Sequence, residues 1–354
     1  MNFPGNCVLL VLFASSLSVG QTTLDKSIKL FDEGKYNESQ ALFRQVLKES
    51  PDNAVACYYL GMLVMDKDYD EAIDLIEKSV DADKTNAKYH LALGNAYGLK
   101  AQRAGILKKF GAASNCRKQY ETAVQSDPKL TEARSSLIEY FLQAPGIMGG
   151  SDEKARAQAD TIASYDAYLG NLARARIHEY KKEFPEEEQN YLNAIYAEPK
   201  KPLAYQGLWA FYINQKNDAK ANETFSKALK ELEKKFDIYY WAGQYLVQTN
   251  DFVRAREYLQ KAADMDPKNL SVYYQLGKVV LLSGNDLEKG LTYFEKYLQA
   301  EPPRNAPSWA HTHWRMGMIY EKLGKNNEAR AEYQKSLELN PQLEEAEKAL
   351  DALK

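Results

Sequence analysis

The sequence predicts an all-α fold, a solenoid of stacked helix–turn–helix units, and three observations carry that reading. The first is a step of 34 positions: Tyr205, Tyr239 and Tyr273 fall in register, as do Ala194, Ala228 and Ala262, and Gly243 with Gly277. The second is helical spacing inside the clearest unit, residues 236–269. Tyr239, Ala242, Gly243 and Leu246 make one apolar face, and Ala255, Leu259 and Ala262 make another after Asn250 and Asp251. The third is punctuation. Asn and Asp bond their own backbone in a turn, and Pro267 lacks the amide donor that a continuing helix needs. Gly243 and Ala255 let two backbones approach, while Tyr239 and Leu259 fill the space between units. One unit leaves a face uncovered, so the units must stack.

These residues, in this order, resemble the tetratricopeptide repeat, whose signature is a Leu-Gly pair, aromatics, Ala and a closing Pro. The resemblance implies a right-handed superhelical array with the first helix of each repeat lining a concave groove. It implies a protein-interaction scaffold and leaves the partner unnamed.

The units follow one another along the chain. Residues 21–53 keep Leu30, Gly34, Tyr36, Phe43, Val46 and Pro51 but lack the Leu-Gly pair, which returns at Leu60 and Gly61 with Ala72. The third unit opens with Leu93, Gly94 and Tyr97 and runs ten residues long before Tyr120, Ala123 and Pro128 recover the register. Residues 98–118 hold no acid and six bases, Lys100, Arg103, Lys108, Lys109, Arg117 and Lys118. Leu99, Ile106, Leu107 and Phe110 keep helical spacing, so two extended helices are expected to meet near Gly111 to Ser114. Their bases should stand beyond the stack, out of reach of neighbouring repeats.

The fourth unit, with Leu137 and Phe141, ends in the loop APGIMGGS at 144–151. A Gly-rich loop ahead of a helix raises a phosphate cradle. The Walker spacing is absent, and Asp152 and Glu153 would repel phosphate, so Ser151 reads as an ordinary N-cap. A long third repeat followed by such a loop resembles, over about 97–159, a group of exported bacterial tetratricopeptide proteins, and that likeness implies no activity.

The fifth unit, 168–201, has Arg174 and Ala175 in place of Leu-Gly but keeps Phe184, Tyr191, Ala194 and Pro199. The sixth carries Tyr205, Leu208, Trp209, Tyr212, Ala221, Phe225 and Ala228. The eighth carries Leu276, Gly277 and Phe294 and breaks at 301–307, where Pro302, Pro303 and Pro307 favour a bend. The ninth has Met316, Gly317, Tyr320, Gly324, Ala329, Tyr333 and Pro341. Residues 344–354 read as a capping helix with a polar outer side, closing an array of about nine repeats over 21–343.

Composition narrows the function. The 354 residues are 45% hydrophobic and 27% charged with a net charge of −3, which lacks the basic footprint of a nucleic-acid binder. The 25 Tyr sit mostly at repeat-core spacing and read as packing. Residues 8–19 form an apolar run of 12, too short to span a bilayer. Ser18, Val19 and Gly20 then offer a small-residue exit, so 1–20 reads as a signal peptide cleaved before Gln21. Residues 1–7 lack the usual Lys or Arg, and Cys7 precedes the apolar run, so a lipoprotein cysteine is not indicated. The expected compartment is periplasmic or extracellular, with no transmembrane span after cleavage. Cys57 and Cys116 lie in different units and read as buried thiols.

No catalytic, cofactor-binding or metal-binding motif is present; the four His (His90, His178, His311, His313) include no HExxH, and GxSxG and Walker sequences are absent. Glu186, Glu187 and Glu188 read as solvated acids at a helix start. The groove is the remaining candidate. First-helix positions between core residues give Tyr58, Met62, Met65, Asn95, Glu139, Arg176, Tyr240, Gln244, Tyr274, Lys278, Trp314 and Met318. Such aromatic and Met side chains suit a peptide. Asn95 alone resembles part of the Lys/Asn carboxylate clamp of cytosolic relatives, so that function is not carried over. Two alternatives stand beside the scaffold. One is an enzyme or small-molecule carrier with its site in the groove or under the 144–151 loop. The other is an envelope adaptor docking an anionic surface through 98–118, with Lys108 and Lys109 at its tip. Intact-mass measurement of protein from the producing cell should give a chain starting at Gln21. A soluble product retaining residues 1–20 would end the export reading.

Overall fold

A computed structural model describes residues 22–103, 105–300, 302 and 306–353, with the side chains of 106–108 outside that description. The expected signal peptide at 1–20, the Lys108 side chain and most of the Pro-rich break therefore lie beyond the described residues. The chain divides into two units, one through Ala197 and the other from Glu198. Among the described residues both are wholly helical, with no strand.

Unit 1 contains five successive helix pairs: α1 (22–32) with α2 (Tyr36–Glu49), α3 (Ala54–Val64) with α4 (Tyr69–Ala82), α5 (Ala87–Arg103) with α6 (Ile106–Ser126), α7 (Thr131–Gln143) with α8 (Asp152–Tyr165), and α9 (Ala167–Lys181) with α10 (Phe184–Ala197). Unit 2 contains α11 (Pro202–Asn214) with α12 (Asp218–Glu231), α13 (Lys235–Gln248) with α14 (Phe252–Met265), α15 (Ser271–Ser283) with α16 (Leu287–Tyr297), α17 (Trp309–Lys322) with α18 (Asn326–Leu339), and the closing α19 (Glu344–Ala352). Each second helix also packs on the next first helix within its unit, and the first helices α11, α13, α15 and α17 touch in succession, as α7 touches α9.

Local chemistry places the ends. Asp251 caps α14 by accepting from the Arg254 amide at 3.1 Å, with Asn250 at φ +62° supplying the left-handed turn. Asn53, Asp68, Asp166, Asn217 and Ser308 cap their helices in the same way. Ser79 Oγ donates to the Ala54 carbonyl at 2.8 Å and Ser336 Oγ to that of Ala310 at 2.7 Å, tying second helix to first.

The 34-residue register is a packing register. Ala194, Ala228 and Ala262 are all fully buried, and Tyr205 and Tyr273 lie in the core while Tyr239 is half-buried. Gly317 shows why no larger residue fits at the first-helix position: a Cβ there would stand 2.4 Å from the fully buried Tyr333 ring. Cys57 and Cys116 are buried free thiols, and burial pushes the Cys116 thiol up to about 11.

Two expectations are corrected. The extended third pair does not turn near Gly111 to Ser114. Its α5 ends at Arg103 and α6 starts at Ile106, so Gly111 and its neighbours lie inside a helix of 21 residues. The turn falls beside Gly105, whose extended φ of −61° and ψ of 159° open α6, and nothing packs tightly enough on Gly111 to break the helix there. Glu187 is also not a solvated acid. It is 5% exposed in the first turn of α10 because that turn faces α9, which carries Arg176 and Glu179.

Two outcomes follow from this packing. Alanine at Gly317 gains up to about 1 kcal/mol of helix propensity, but overpacking against a ring that cannot retreat costs about 1–3 kcal/mol. The melting temperature of Gly317→Ala should fall, and a rise would show that this contact does not set the helix spacing. For Glu187, burial and then repulsion from Glu179 push the carboxyl from 4.5 up to about 7, which Arg176 offsets only in part. The folded state thus holds this proton more tightly than the unfolded chain. Its penalty is absent below about pH 4.5, grows as pH rises to about 7, and is constant above that. Urea unfolding should find Glu187→Gln more stable than wild type by about 1–3 kcal/mol at pH 8 and by much less at pH 5. Equal differences at both pH values would mean a solvated carboxylate.

Candidate functional site

The site is assembled in unit 1 from the two features that depart from the regular repeat. The α5–α6 pair is longer than its neighbours, at 17 and 21 residues, and the 144–151 loop folds back against it. Ala101, Ala112 and Ala113 form a small buried cluster in that pair, against which Tyr97, Tyr140 and Met148 pack. Small residues on facing turns let the extended helices close on each other and leave a flat wall.

The loop is braced from several sides. Tyr140 Oη donates to the Met148 carbonyl at 2.8 Å and Arg117 Nη1 donates to the same oxygen at 3.3 Å. The Ser151 amide donates to Phe141 O at 3.0 Å, and the Ser151 hydroxyl accepts from the Lys154 amide at 3.2 Å. A short 3₁₀ turn, Gly146–Met148, leads into Gly149 at φ +91°. A Cβ at Gly149 would sit 2.1 Å from Arg117 Nη1, so glycine serves both the backbone angle and the guanidinium. Ser151 is the N-cap the sequence suggested, with Asp152 and Glu153 in the first turn behind it.

Between this loop, the extended pair and the first helices α7 and α9 opens a groove of about 1070 Å³. Its floor is Ile138, Tyr140, Leu169, Leu172 and Ala173, and Cys116 and Tyr120 line it from α6. At its lip stand Phe110, 48% exposed, and Ile147, 90% exposed. Polar groups are few. Arg176 crosses from α9 to hold Glu139 of α7 with two bonds, Nε to Oε1 at 2.6 Å and Nη2 to Oε2 at 3.1 Å, and also reaches Glu179 at 2.8 Å. Burial pushes the Glu139 carboxyl up, but the Arg176 hydrogen bond and charge outweigh it and hold the group below its ordinary value. The Arg176 guanidinium is correspondingly raised, chiefly by its bond to Glu139. This pair is a neutralised polar mark in an apolar trough.

The expected site residues fall into three groups. Arg176 and Lys109 line this groove, with Glu139 beside Arg176. Tyr58 and Met62 pack at the edge of the core around Leu60 and Ile76, where Tyr58 meets the Tyr59 ring at 5.2 Å and the Tyr89 ring at 5.0 Å. Asn95 is exposed but accepts from Tyr120 Oη at 2.9 Å. In unit 2, Tyr240, Gln244, Lys278 and Trp314 are half-buried on the first-helix face. Tyr240 stacks on Phe236 at 5.5 Å, and Trp314 packs against the cluster of Ala310, Leu343 and Ala346 under α19.

Tyr274 is a correction. It is 3% exposed, wedged against Phe294 and Tyr297, and so is a core ring and not an open rung beside Tyr240. The basic extension is another. Lys100 pairs with Asp70 at 2.7 Å, Arg103 donates to the Asp66 carbonyl at 2.7 Å, and Arg117 serves the loop. Those bases reach neighbouring repeats because the extended helices lie against them. Lys109 and Lys118 remain exposed without an ion pair among the described residues.

Sequence reasoning passed over Ile138, Ile147, Leu169 and Leu172. The available signal was Ile147 and Met148, two apolar residues in an otherwise small-residue loop. Among the described residues, no three metal-ligating side chains converge and no helix is long and apolar enough to cross a membrane.

Tetratricopeptide-repeat models match residues 30–95, 216–269, 240–308 and 310–343, together more than half of the chain. No curated protein matches it. Among solved structures, a tetratricopeptide protein of Parabacteroides merdae is 17% identical, with 74% of this chain and 98% of that one covered at a TM-score of 0.46. A thermophilic tetratricopeptide protein of Thermus thermophilus is 17% identical over 55% of this chain and 99% of its own, at 0.45. Yeast Tom70 is 11% identical, with 95% of each chain covered, at 0.43. With matched models, buried register and paired helices in agreement, the chain belongs to the tetratricopeptide-repeat family.

Proposed function

We propose that the protein is a non-enzymatic interaction scaffold of an exported compartment, and that it seats an apolar segment of a partner polypeptide in the groove of unit 1. One observation carries the reading: a trough of about 1070 Å³ is built on first-helix faces and lipped by two solvent-exposed apolar side chains, Phe110 and Ile147. Exposed Ile at 90% gains nothing for the isolated fold, and it gains about 1.5–3 kcal/mol if a partner buries it. The braced loop keeps that side chain in place before binding, which lowers the ordering cost. The Glu139–Arg176 pair offers one polar reference point for register.

A second reading rests on the same volume, which reaches the upper range of small-ligand cavities. There the protein would carry an amphipathic small molecule, its polar end at Arg176. Docking of an anionic surface by the extension is the weaker alternative, since it now rests on Lys109, Lys118 and Lys108.

Panning a random peptide library on the full chain separates these readings. Peptides with apolar anchors should be enriched. Phe110→Asp and Ile147→Asp should each weaken them by about tenfold or more, near 1.4 kcal/mol. Melting temperatures should hold, because both side chains are exposed. Enriched peptides indifferent to both changes would remove the groove assignment. A small molecule retained in native mass spectra, and lost in Ile147→Asp, would favour the carrier.

A further inference from the structure

A carboxyl is costly to bury unless something bonds it, and Glu187 is 5% exposed in the first turn of α10. Its amide donates to the Glu183 carbonyl at 3.0 Å as an ordinary helix bond. Among the described residues its side chain makes neither an ion pair nor a hydrogen bond. Within unit 1, α10 packs on α9. That helix brings Arg176 and Glu179 to the buried carboxyl, and these two charges act on it. The other charged groups of this stretch are engaged elsewhere. His178 bonds Glu183, which Arg156 also reaches, and Lys181 pairs with Asp152. Lys182 and Glu186 are exposed, and Glu188 is half-buried on the next position of α10.

Arg176 connects these surroundings to the groove. Its Nε and Nη2 hold Glu139 of α7, and its Nη1 donates to Glu179. A guanidinium has five N–H donors, so one on each terminal nitrogen stays uncommitted. Glu187 does not line the groove, whereas Arg176 and Glu139 do. Three carboxyls thus compete for one cation, two from the α9–α10 side and one from α7. Burial first, and repulsion from Glu179 second, push the Glu187 carboxyl up to about 7 against the pull of Arg176. While Glu187 keeps its proton, the fork is held by Glu139 and Glu179 alone. Once the proton leaves, a buried charge with no bond of its own joins Glu179, and the balance for the fork moves toward α10. Glu139 then faces the trough with less compensation, and an apolar occupant has to desolvate it.

We propose that Glu187 is a proton-operated switch for this groove: losing its proton draws Arg176 away from Glu139 and weakens the hold on an apolar occupant. The inference rests on the reading of the groove as a seat for an apolar segment. An occupant that covers the Glu139–Arg176 pair favours the arrangement in which the pair is closed. By reciprocity it also favours the proton on Glu187. Affinity is therefore highest below the Glu187 value and falls as pH rises through about 7.

Carboxyl-carbon NMR of the full-length chain, with isotope-labelled glutamates, reads the switch without any ligand. Loss of a signal in Glu139→Gln assigns the groove acid. The Glu139 carbon should step at about pH 7, far above its own titration, because Arg176 holds that carboxyl below its ordinary value. The step should vanish in Glu187→Gln, which leaves His178 in place as a control for imidazole titration. The neutral apolar dye N-phenyl-1-naphthylamine gives the binding readout. Wild type should bind it about fivefold or more weakly at pH 8 than at pH 6. Glu187→Gln should bind at both values as wild type does at pH 6. Ile147→Asp should weaken the dye at both and keep the Glu139 step, so failure of the groove reading is distinct from failure of the switch. A Glu139 signal that stays flat across neutral pH, or a step that persists in Glu187→Gln, would overturn the switch whatever the dye does. So would the same pH profile of dye binding in wild type and Glu187→Gln.

Discussion

In the intact repeats a ring or branched side chain of the second helix lies where the first helix's glycine would have carried its Cβ. Tyr333 occupies that space over Gly317, Tyr120 over Gly94, Phe294 over Gly277 and Leu259 over Gly243. The contact sets how near two helices can come, and so where the next pair begins. Everything else is arranged around it: fully buried Ala residues on second helices, aromatic rings between pairs, and serine hydroxyls capturing carbonyls across the seam. Dispersion contacts of this kind are individually small but numerous, and a close-packed interior does not tolerate a misplaced methyl.

The groove of unit 1 is what happens when this rule is relaxed at one pair. Helices α5 and α6 run to 17 and 21 residues, and beyond the regular repeat they meet through Ala101, Ala112 and Ala113, with Tyr97 and Tyr140 packed against these small residues. The pair after it spends its connection on a braced loop instead of a short turn. The result is a wall and a lip around first-helix side chains that regular stacking would have left flat. An interaction scaffold needs such a departure, because identical repeats present identical surfaces.

Charge is treated differently in the two units. In unit 1 the cation that enters the groove, Arg176, is already neutralised by Glu139 and Glu179, so the trough favours an apolar occupant. In unit 2 Arg315 on the first-helix face donates to the Tyr274 hydroxyl, and among the described residues it makes no ion pair. Hydrogen bonding to Tyr274 orients Arg315 and leaves its charge available.

The amino-acid sequence determined the class of fold, the helix pairing and the turn chemistry, because these follow from spacing and from residues such as Asn250, Asp251 and Gly243 that act within a few positions of themselves. It also marked the two irregular stretches, 98–118 and 144–151, by their broken register. What it left open was exposure. Tyr240 and Tyr274 occupy equivalent positions in successive repeats, yet one is half-buried and the other lies in the core. Which of them is covered depends on Phe294 and Tyr297 from another helix. The same holds for Glu187, which is an ordinary helix-start acid until α9 covers it, and for Lys100 and Arg103, whose partners lie about 30 or more positions upstream. Periodicity records which side of a helix faces inward, but only the packed structure decides what stands opposite it. The groove, its apolar lip and the unpaired cations were therefore decided by the tertiary structure.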